Sequence, residues 1–271
     1  MHPMVTIALR AARQAAEFID RARDDLDKLD VKQKDVNDYV SEVDRRAEEM
    51  IISTLQKAYP EHSILGEESG AIEGSGEGKD YQWIIDPLDG TTNFLHDFTH
   101  YAVSIACKYK GRLEHAVIVD PIRQDEFTAT RGQGTAYNGR RVRVSKIKGL
   151  DGALLGTGFP FKPSQQKHMD AYLKMFKDQA QSCAGIRRAG SAALDLAYVA
   201  AGKLDGFWEI GLNEWDIAAG VLLVQEAGGL VSDFSGGHNY MDNGNIICGN
   251  AKVLKGMLQN IQPHLTDALK N

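Results

Sequence analysis

Cysteine is scarce in this chain of 271 residues: Cys107, Cys183 and Cys248 are widely spaced and form no CxxC pair. That excludes a disulfide framework and predicts reduced, partly buried thiols in a cytosolic protein. Long apolar runs are missing as well. No stretch approaches the ~20 residues that a membrane helix needs. Met1-His2-Pro3-Met4 lacks a basic segment followed by an apolar run, which predicts no signal peptide. Positive charge is not in excess: the net charge is −6, which argues against a general nucleic-acid-binding surface. Arg140-Arg141-Val142-Arg143 and Arg187-Arg188 are local basic clusters and read as solvated faces. Fixed-period repeats and low-complexity tracts are also absent. What is present is ordinary globular composition, 43% hydrophobic and 25% charged. The length suits one large domain or two tightly joined halves.

Helical spacing of Val5, Leu9, Ala12, Ala16, Ile19 and Ala22 predicts an amphipathic helix over 4–27. Residues 31–40 are polar and turn-prone. Ser41 and Asp44 then resemble a capped helix start, and Val43, Ala47, Met50, Ile51, Leu55 and Ala58 supply its buried stripe before Pro60. Strands are expected at 63–65 and 81–85, separated by a glycine-rich loop over 69–79. Apolar runs at 101–109 and 113–119, joined by Lys110-Gly111, predict a hairpin. Strands are also expected at 125–130 and 141–145. Beyond these, elements alternate: strand 153–156, helix 167–177, helix 191–201, strand 205–210, and helix 216–227 closed by Gly228-Gly229. Strands 230–233 and 245–248 and helix 252–261 complete the chain. The expected class is layered α/β, in two joined parts, 1–148 and 149–271.

The stretch Asp86-Pro87-Leu88-Asp89-Gly90-Thr91-Thr92 puts two acids three positions apart after an apolar strand. Pro87 holds Asp86 extended and Gly90 allows a sharp bend, so both carboxylates can converge. Such a pair repels unless a cation lies between, and the natural cation for clustered oxygens is Mg2+. The Leu88 carbonyl lies between the acids. Asp86-Pro87 alone reads better as an Asp-rich turn; the longer string does not. Glu67 ends a strand in an equally odd context. Asp216, after Trp215, reads by itself as a helix N-cap. Thr91 and Thr92 are expected to open a short helix.

Asp86 to Phe94, together with Gly66-Glu67-Glu68 and Trp215-Asp216-Ile217-Ala218-Ala219-Gly220, resembles the inositol monophosphatase family over nearly the whole chain. Met1-His2-Pro3-Met4, the segment 189–202 and Ser232-Asp233-Phe234 are similar to a bacterial branch of it in particular. The resemblance implies a five-layer α/β/α/β/α sandwich and Mg2+-dependent hydrolysis of myo-inositol 1-phosphate or similar phosphate monoesters. It implies that Glu67, Asp86, the Leu88 carbonyl, Asp89 and Asp216 hold two to three Mg2+ ions, with Li+ as inhibitor. Thr91, with Asp44 behind it, would orient and help deprotonate the attacking water, and Glu67 would share that task. Asp89, Gly90, Thr91, Arg187, Gly190, Ser191, Ala192, Glu209 and Asp216 would face the substrate. A homodimer, a cytoplasmic location, and Nus factors or RNA polymerase as partners in ribosomal RNA antitermination are further implications. The basic segment 140–148 and Arg187-Arg188 are candidate partner contacts.

Two other chemistries compete. An aspartyl-phosphate phosphatase uses D-x-D, whereas this chain has D-P-L-D, one residue longer, with proline after the would-be nucleophile. Sugar bisphosphatases and phosphonucleotide phosphatases share the metal motif and differ in substrate. His96 and His100 read as surface donors in a loop, because Mg2+ prefers oxygen. Trp83, Trp208 and Trp215 read as packing residues.

Overall fold

The computed structural model describes residues 1–28, 31–35 and 38–270, and the side chains of 1–26 and 42–270. Helix α1 (Pro3–Ala22) starts with proline, whose missing N–H costs nothing at that position. It gives way to a 3-10 turn at Arg23, short of the expected 4–27. The turn-prone segment after it is a two-stranded hairpin, β1 (Val31–Asp35) with β2 (Asp38–Ser41); positions 36 and 37 lie outside the described residues. Helix α2 (Glu42–Ala58) follows directly. The cap expected of Ser41 lies outside the described side chains.

Next come β3 (Ser63–Gly66), β4 (Gly70–Ile72), β5 (Tyr81–Asp89), α3 (Thr91–Leu95), β6 (Ala102–Tyr109), β7 (Arg112–Asp120), β8 (Asp125–Thr130), β9 (Gly134–Tyr137) and β10 (Arg140–Val142). They form an eight-stranded sheet in the order β10-β9-β8-β7-β6-β5-β3-β4. The remainder runs β11 (Leu154–Thr157), α4 (Met169–Ser182), β12 (Gly185–Arg187), α5 (Ala192–Ala200), β13 (Gly206–Glu209), α6 (Glu214–Glu226), β14 (Leu230–Ser232), α7 (Tyr240–Asn243), β15 (Ile246–Gly249), α8 (Ala251–Ile261) and α9 (Asp267–Lys270). Its five-stranded sheet has the order β12-β11-β13-β15-β14.

Strand alternation builds the layers. Trp83 and Ile85 of β5, Val103, Ile105 and Cys107 of β6, and Val117 and Val119 of β7 pack on α1 and α2. Their neighbours Ile84, Ala102, Ala106, Ala116 and Ile118 point the other way, into α5 and α6. The far side of α5 and α6 meets Phe207, Ile246 and Cys248 of the smaller sheet. Trp208, Ile247 and Leu155 face away from them, against α4 and α8. The order is α/β/α/β/α, as expected. Each fully buried large side chain here contributes about 1.5–3 kcal/mol. Both α5 and α6 lie between sheets, which explains why α5 has a single charged residue, Asp195, and why α6 is apolar without a break from Ile217 to Val224.

Several expectations change. Part of the glycine-rich loop, Gly70–Ile72, pairs with β3. Strand β10 stops at Val142: beyond it the Val144 N–H donates to the Ala227 carbonyl at 3.2 Å, and Asn250 Nδ2 donates to the carbonyls of Ser145 and Ile147, each at 3.0 Å. Those bonds replace a ladder. Short elements β9, β12, α7 and α9 carry too little periodicity to be read from sequence. His100 is buried rather than a surface donor, and burial beside Arg123 pushes its pKa down to about 4.

Candidate active site

Strand β5 does not end at Asp86; it continues to Asp89 through a bulge. Asp86 pairs with Ser104 and Asp89 with Ala102, so β5 spends one residue more than β6 between the two pairs. A bulge re-aims side chains and tolerates Pro87, which has no N–H to give the ladder. Asp86 is 1% exposed and its Oδ1 accepts from Leu88 N at 3.0 Å. Gly90 then adopts φ 102 and opens α3. A Cβ there would lie 3.1 Å from the His100 carbonyl and 3.2 Å from that of Gly190. Glycine is required because the two parts of the chain touch at this point. Asn93 Nδ2 joins the same parts, donating to His100 O at 2.7 Å and Ala189 O at 2.8 Å.

Glu67 follows β3. Its N–H donates to Ile85 O at 3.1 Å, and buried Glu48 accepts from Glu68 N at 3.0 Å and Ser69 N at 2.8 Å. Gly66 leaves room for the Glu48 carboxylate, which a Cβ would overlap. Asp216 is not the helix N-cap. Asn213 caps α6, and Asp216 is its third residue, accepting from Asn213 N at 2.6 Å. Asp89 is held from across the cleft: Oδ2 accepts from Ser191 Oγ at 2.6 Å and Ala193 N at 2.7 Å. Ser191 also caps α5, accepting from Leu194 N at 3.3 Å.

These acids share a cleft of about 410 Å3. Burial, then the charges of Glu67, Asp89 and Asp216, push the Asp86 pKa well above the usual carboxylate range, and Asp86 is hydrogen-bonded to Glu67. Burial also raises Asp89, to about 6, despite the opposing hydrogen bonds from Ser191 and Ala193. Among the described residues, no three His, Cys, Asp or Glu side chains are already drawn to the spacing of a metal shell. The donor chemistry still fits a hard divalent cation, because Glu67, Asp86, the Leu88 carbonyl, Asp89 and Asp216 offer oxygen only. A cation would relieve the repulsion that raises Asp86.

Thr91 Oγ1 donates to Asp44 Oδ1 at 2.8 Å and lies 3.2 Å from the Leu88 carbonyl. Asp44 is 1% exposed. On the opposite wall, Gly190, Ala192 and Glu209 line the cleft, whereas Ser191 reaches it through Asp89. Arg187 does not line it; its exposed guanidinium donates to the Ile186 carbonyl at 3.2 Å, and Arg188 takes the cleft position. Arg188 was singled out only as part of the basic pair Arg187-Arg188, and Asp195 was not singled out by sequence reasoning. A lone acid inside the apolar run Ala192-Ala193-Leu194-Asp195-Leu196-Ala197 was the available signal for Asp195. Glu48 gave none, being one of many acids on a polar helix. His96 and Lys162 also line the cleft.

A family model described as the inositol monophosphatase family matches residues 1–266. The Nus factor SuhB of Pseudomonas aeruginosa is 64% identical over 270 residues, covering 100% of both chains. The Nus factor SuhB of Escherichia coli K12 is 56% identical over 270 residues, again covering 100% of both. Among solved structures, the extragenic suppressor protein suhB from Bartonella henselae matches with TM-score 0.92 at 42% identity, over 96% of this chain and 98% of that one. An inositol monophosphatase from Anabaena matches with TM-score 0.80 at 32% identity, over 96% and 95%.

Proposed function

The chain belongs to the inositol monophosphatase family, and from that premise we propose that it is a Mg2+-dependent phosphatase of small polyol phosphate monoesters, myo-inositol 1-phosphate first among them. The observation that carries the reading is Asp86, 1% exposed and surrounded by the charges of Glu67, Asp89 and Asp216. A carboxylate in that position is costly without a cation.

Glu67, Asp86, the Leu88 carbonyl, Asp89 and Asp216 would hold two to three ions, with Li+ competing for a position. The chemistry Mg2+ supplies when bound is neutralisation of phosphoryl charge and acidification of water. Thr91 orients the attacking water through its hydroxyl oxygen, and its own proton is held by Asp44 at 2.8 Å. Glu67 shares the water's proton. Water adds to phosphorus, the ester P–O bond breaks, and the proton ends on the leaving alcohol. Gly190, Ala192 and Glu209 face the leaving group, while Ser191 keeps Asp89 aimed into the cleft. Phosphate release from inositol 1-phosphate with and without Mg2+ tests the reading, and Asp86→Asn is expected to abolish it.

A second role is supported by the name of relatives matched over their whole length, Nus factor SuhB. The chain would then also bind Nus factors or RNA polymerase. Mixing the purified chain with each partner and following co-elution tests this; independent elution from all of them removes the role. The reading includes a homodimer, which sedimentation equilibrium checks. Among the described residues no helix is long and apolar enough to cross a membrane.

A further inference from the structure

We propose that Asp195 is a specificity-determining residue that reads a hydroxyl of the alcohol part of the substrate, in addition to the contact already assigned to Glu209. The inference rests on the phosphomonoesterase reading and concerns the wall of the cleft built by α5 and β13.

Asp195 sits in the first turn of α5, between residues that are fully buried, and is itself 2% exposed. Glu209 ends β13 and is 9% exposed. Both line the cleft. Buried acids elsewhere in this protein are satisfied by donors of the protein itself. Asp233 accepts from the N–H groups of Ser235, Gly237 and Asn239. Asp120 accepts from those of Ile122 and Arg123 and from the Arg123 guanidinium. No group among the described residues donates a hydrogen bond to the carboxyl of Asp195 or of Glu209. A buried carboxyl without a donor is unfavourable, so the donors must come with whatever enters the cleft. Glycine at 158 leaves the space that the Glu209 carboxyl fills, since a Cβ there would overlap it.

The chemistry of the occupant follows from its surroundings. An anionic group is repelled by two acids beside Asp89. An ammonium satisfies the acids but meets the Arg188 guanidinium, whose charge reaches both Asp195 and Glu209. A hydroxyl suits all three, because its hydrogen goes to a carboxylate and its oxygen accepts from the guanidinium. Two acids on one wall therefore favour an alcohol that carries more than one free hydroxyl.

The test compares phosphate release from myo-inositol 1-phosphate and from cyclohexyl phosphate, the same ring without hydroxyls. The wild type should favour the inositol ester in kcat/KM by more than about tenfold. Asp195→Asn, which keeps the shape, and Asp195→Ser should each lower that preference by about 10–100-fold, mostly through KM, with melting temperature retained. An unchanged ratio, an equal loss on both esters, or a wild type indifferent to the hydroxyls overturns the proposal. If the wild type hydrolyses neither ester, it is the phosphatase reading that fails. Calorimetric titration with free myo-inositol then decides alone: binding weakened about tenfold or more in Asp195→Asn keeps the pocket, and equal or absent binding removes it.

Discussion

Ser191 donates to Asp89 across a sequence separation of 102 residues, at 2.6 Å, and Ala193 N reaches the same carboxylate oxygen at 2.7 Å. One acid of the bulged strand is thus aimed by the start of a helix from the other part of the chain. Ser191→Ala removes one charge-assisted bond, worth about 1.5–3 kcal/mol. We expect kcat/KM to fall about tenfold or more and half-saturating Mg2+ to rise. Phosphate release against Mg2+ concentration checks this, and an unchanged Mg2+ curve counts against it.

Asp86 gives an opposite effect on stability. Its folded pKa is raised above the unfolded value of 3.8, first by burial and then by Glu67, Asp89 and Asp216. The metal-free fold therefore loses stability as pH rises above the unfolded pKa. Asp86→Asn removes that cost and still accepts from Leu88 N. Melted in EDTA at pH 7, this variant should be no less stable than wild type. Added Mg2+ should raise the melting temperature of wild type only. A variant several degrees less stable in EDTA would contradict the electrostatic account.

Thr91 and Asp44 are expected to act on the chemical step and not on ion binding. Thr91→Val keeps the volume and deletes the hydroxyl that bonds Asp44 at 2.8 Å. A fall of about 100-fold in kcat is expected, the lower end of general acid–base effects. Half-saturating Mg2+ should stay within about threefold. Steady-state kinetics across a Mg2+ series separates the two quantities.

Much of this was legible because the signals are local. Asp86, Asp89 and Glu67 follow short apolar runs at positions where carboxylates have no packing role. The alternation of Ile84 with Trp83 and Ile85 marks a strand buried on both faces. The four-residue helices α7 and α9 and the three-residue strands β4 and β12 were not legible, since their stability comes from neighbours. Neither was the choice of Arg188 over Arg187, which depends on which way a short strand, β12, turns its side chains. Glu48 acts 20 residues away on the N–H of Glu68, a contact with no trace in sequence spacing.

His115 gives a pH effect remote from the cleft. Burial, then the charge of His2 stacked on it at 4.2 Å, pushes its pKa down to about 4 from 6.5. The unfolded chain binds a proton that the folded chain refuses. Stability from this group is complete above pH 6.5 and is lost as pH falls toward 4. His115→Gln should lose about 2–4 °C less than wild type between pH 7 and pH 4.5. Thermal melts at both pH values read the difference directly; parallel losses would remove His115 from the acid limb.

The central claim is that the crowded acids around Asp86 hold Mg2+ for phosphate-ester hydrolysis. It is tested most directly by phosphate release from myo-inositol 1-phosphate, with EDTA, with Mg2+, and with Mg2+ plus LiCl. The account predicts no release in EDTA, turnover with Mg2+, and suppression by lithium. Turnover that persists in EDTA, or none in a folded protein saturated with Mg2+, would contradict it.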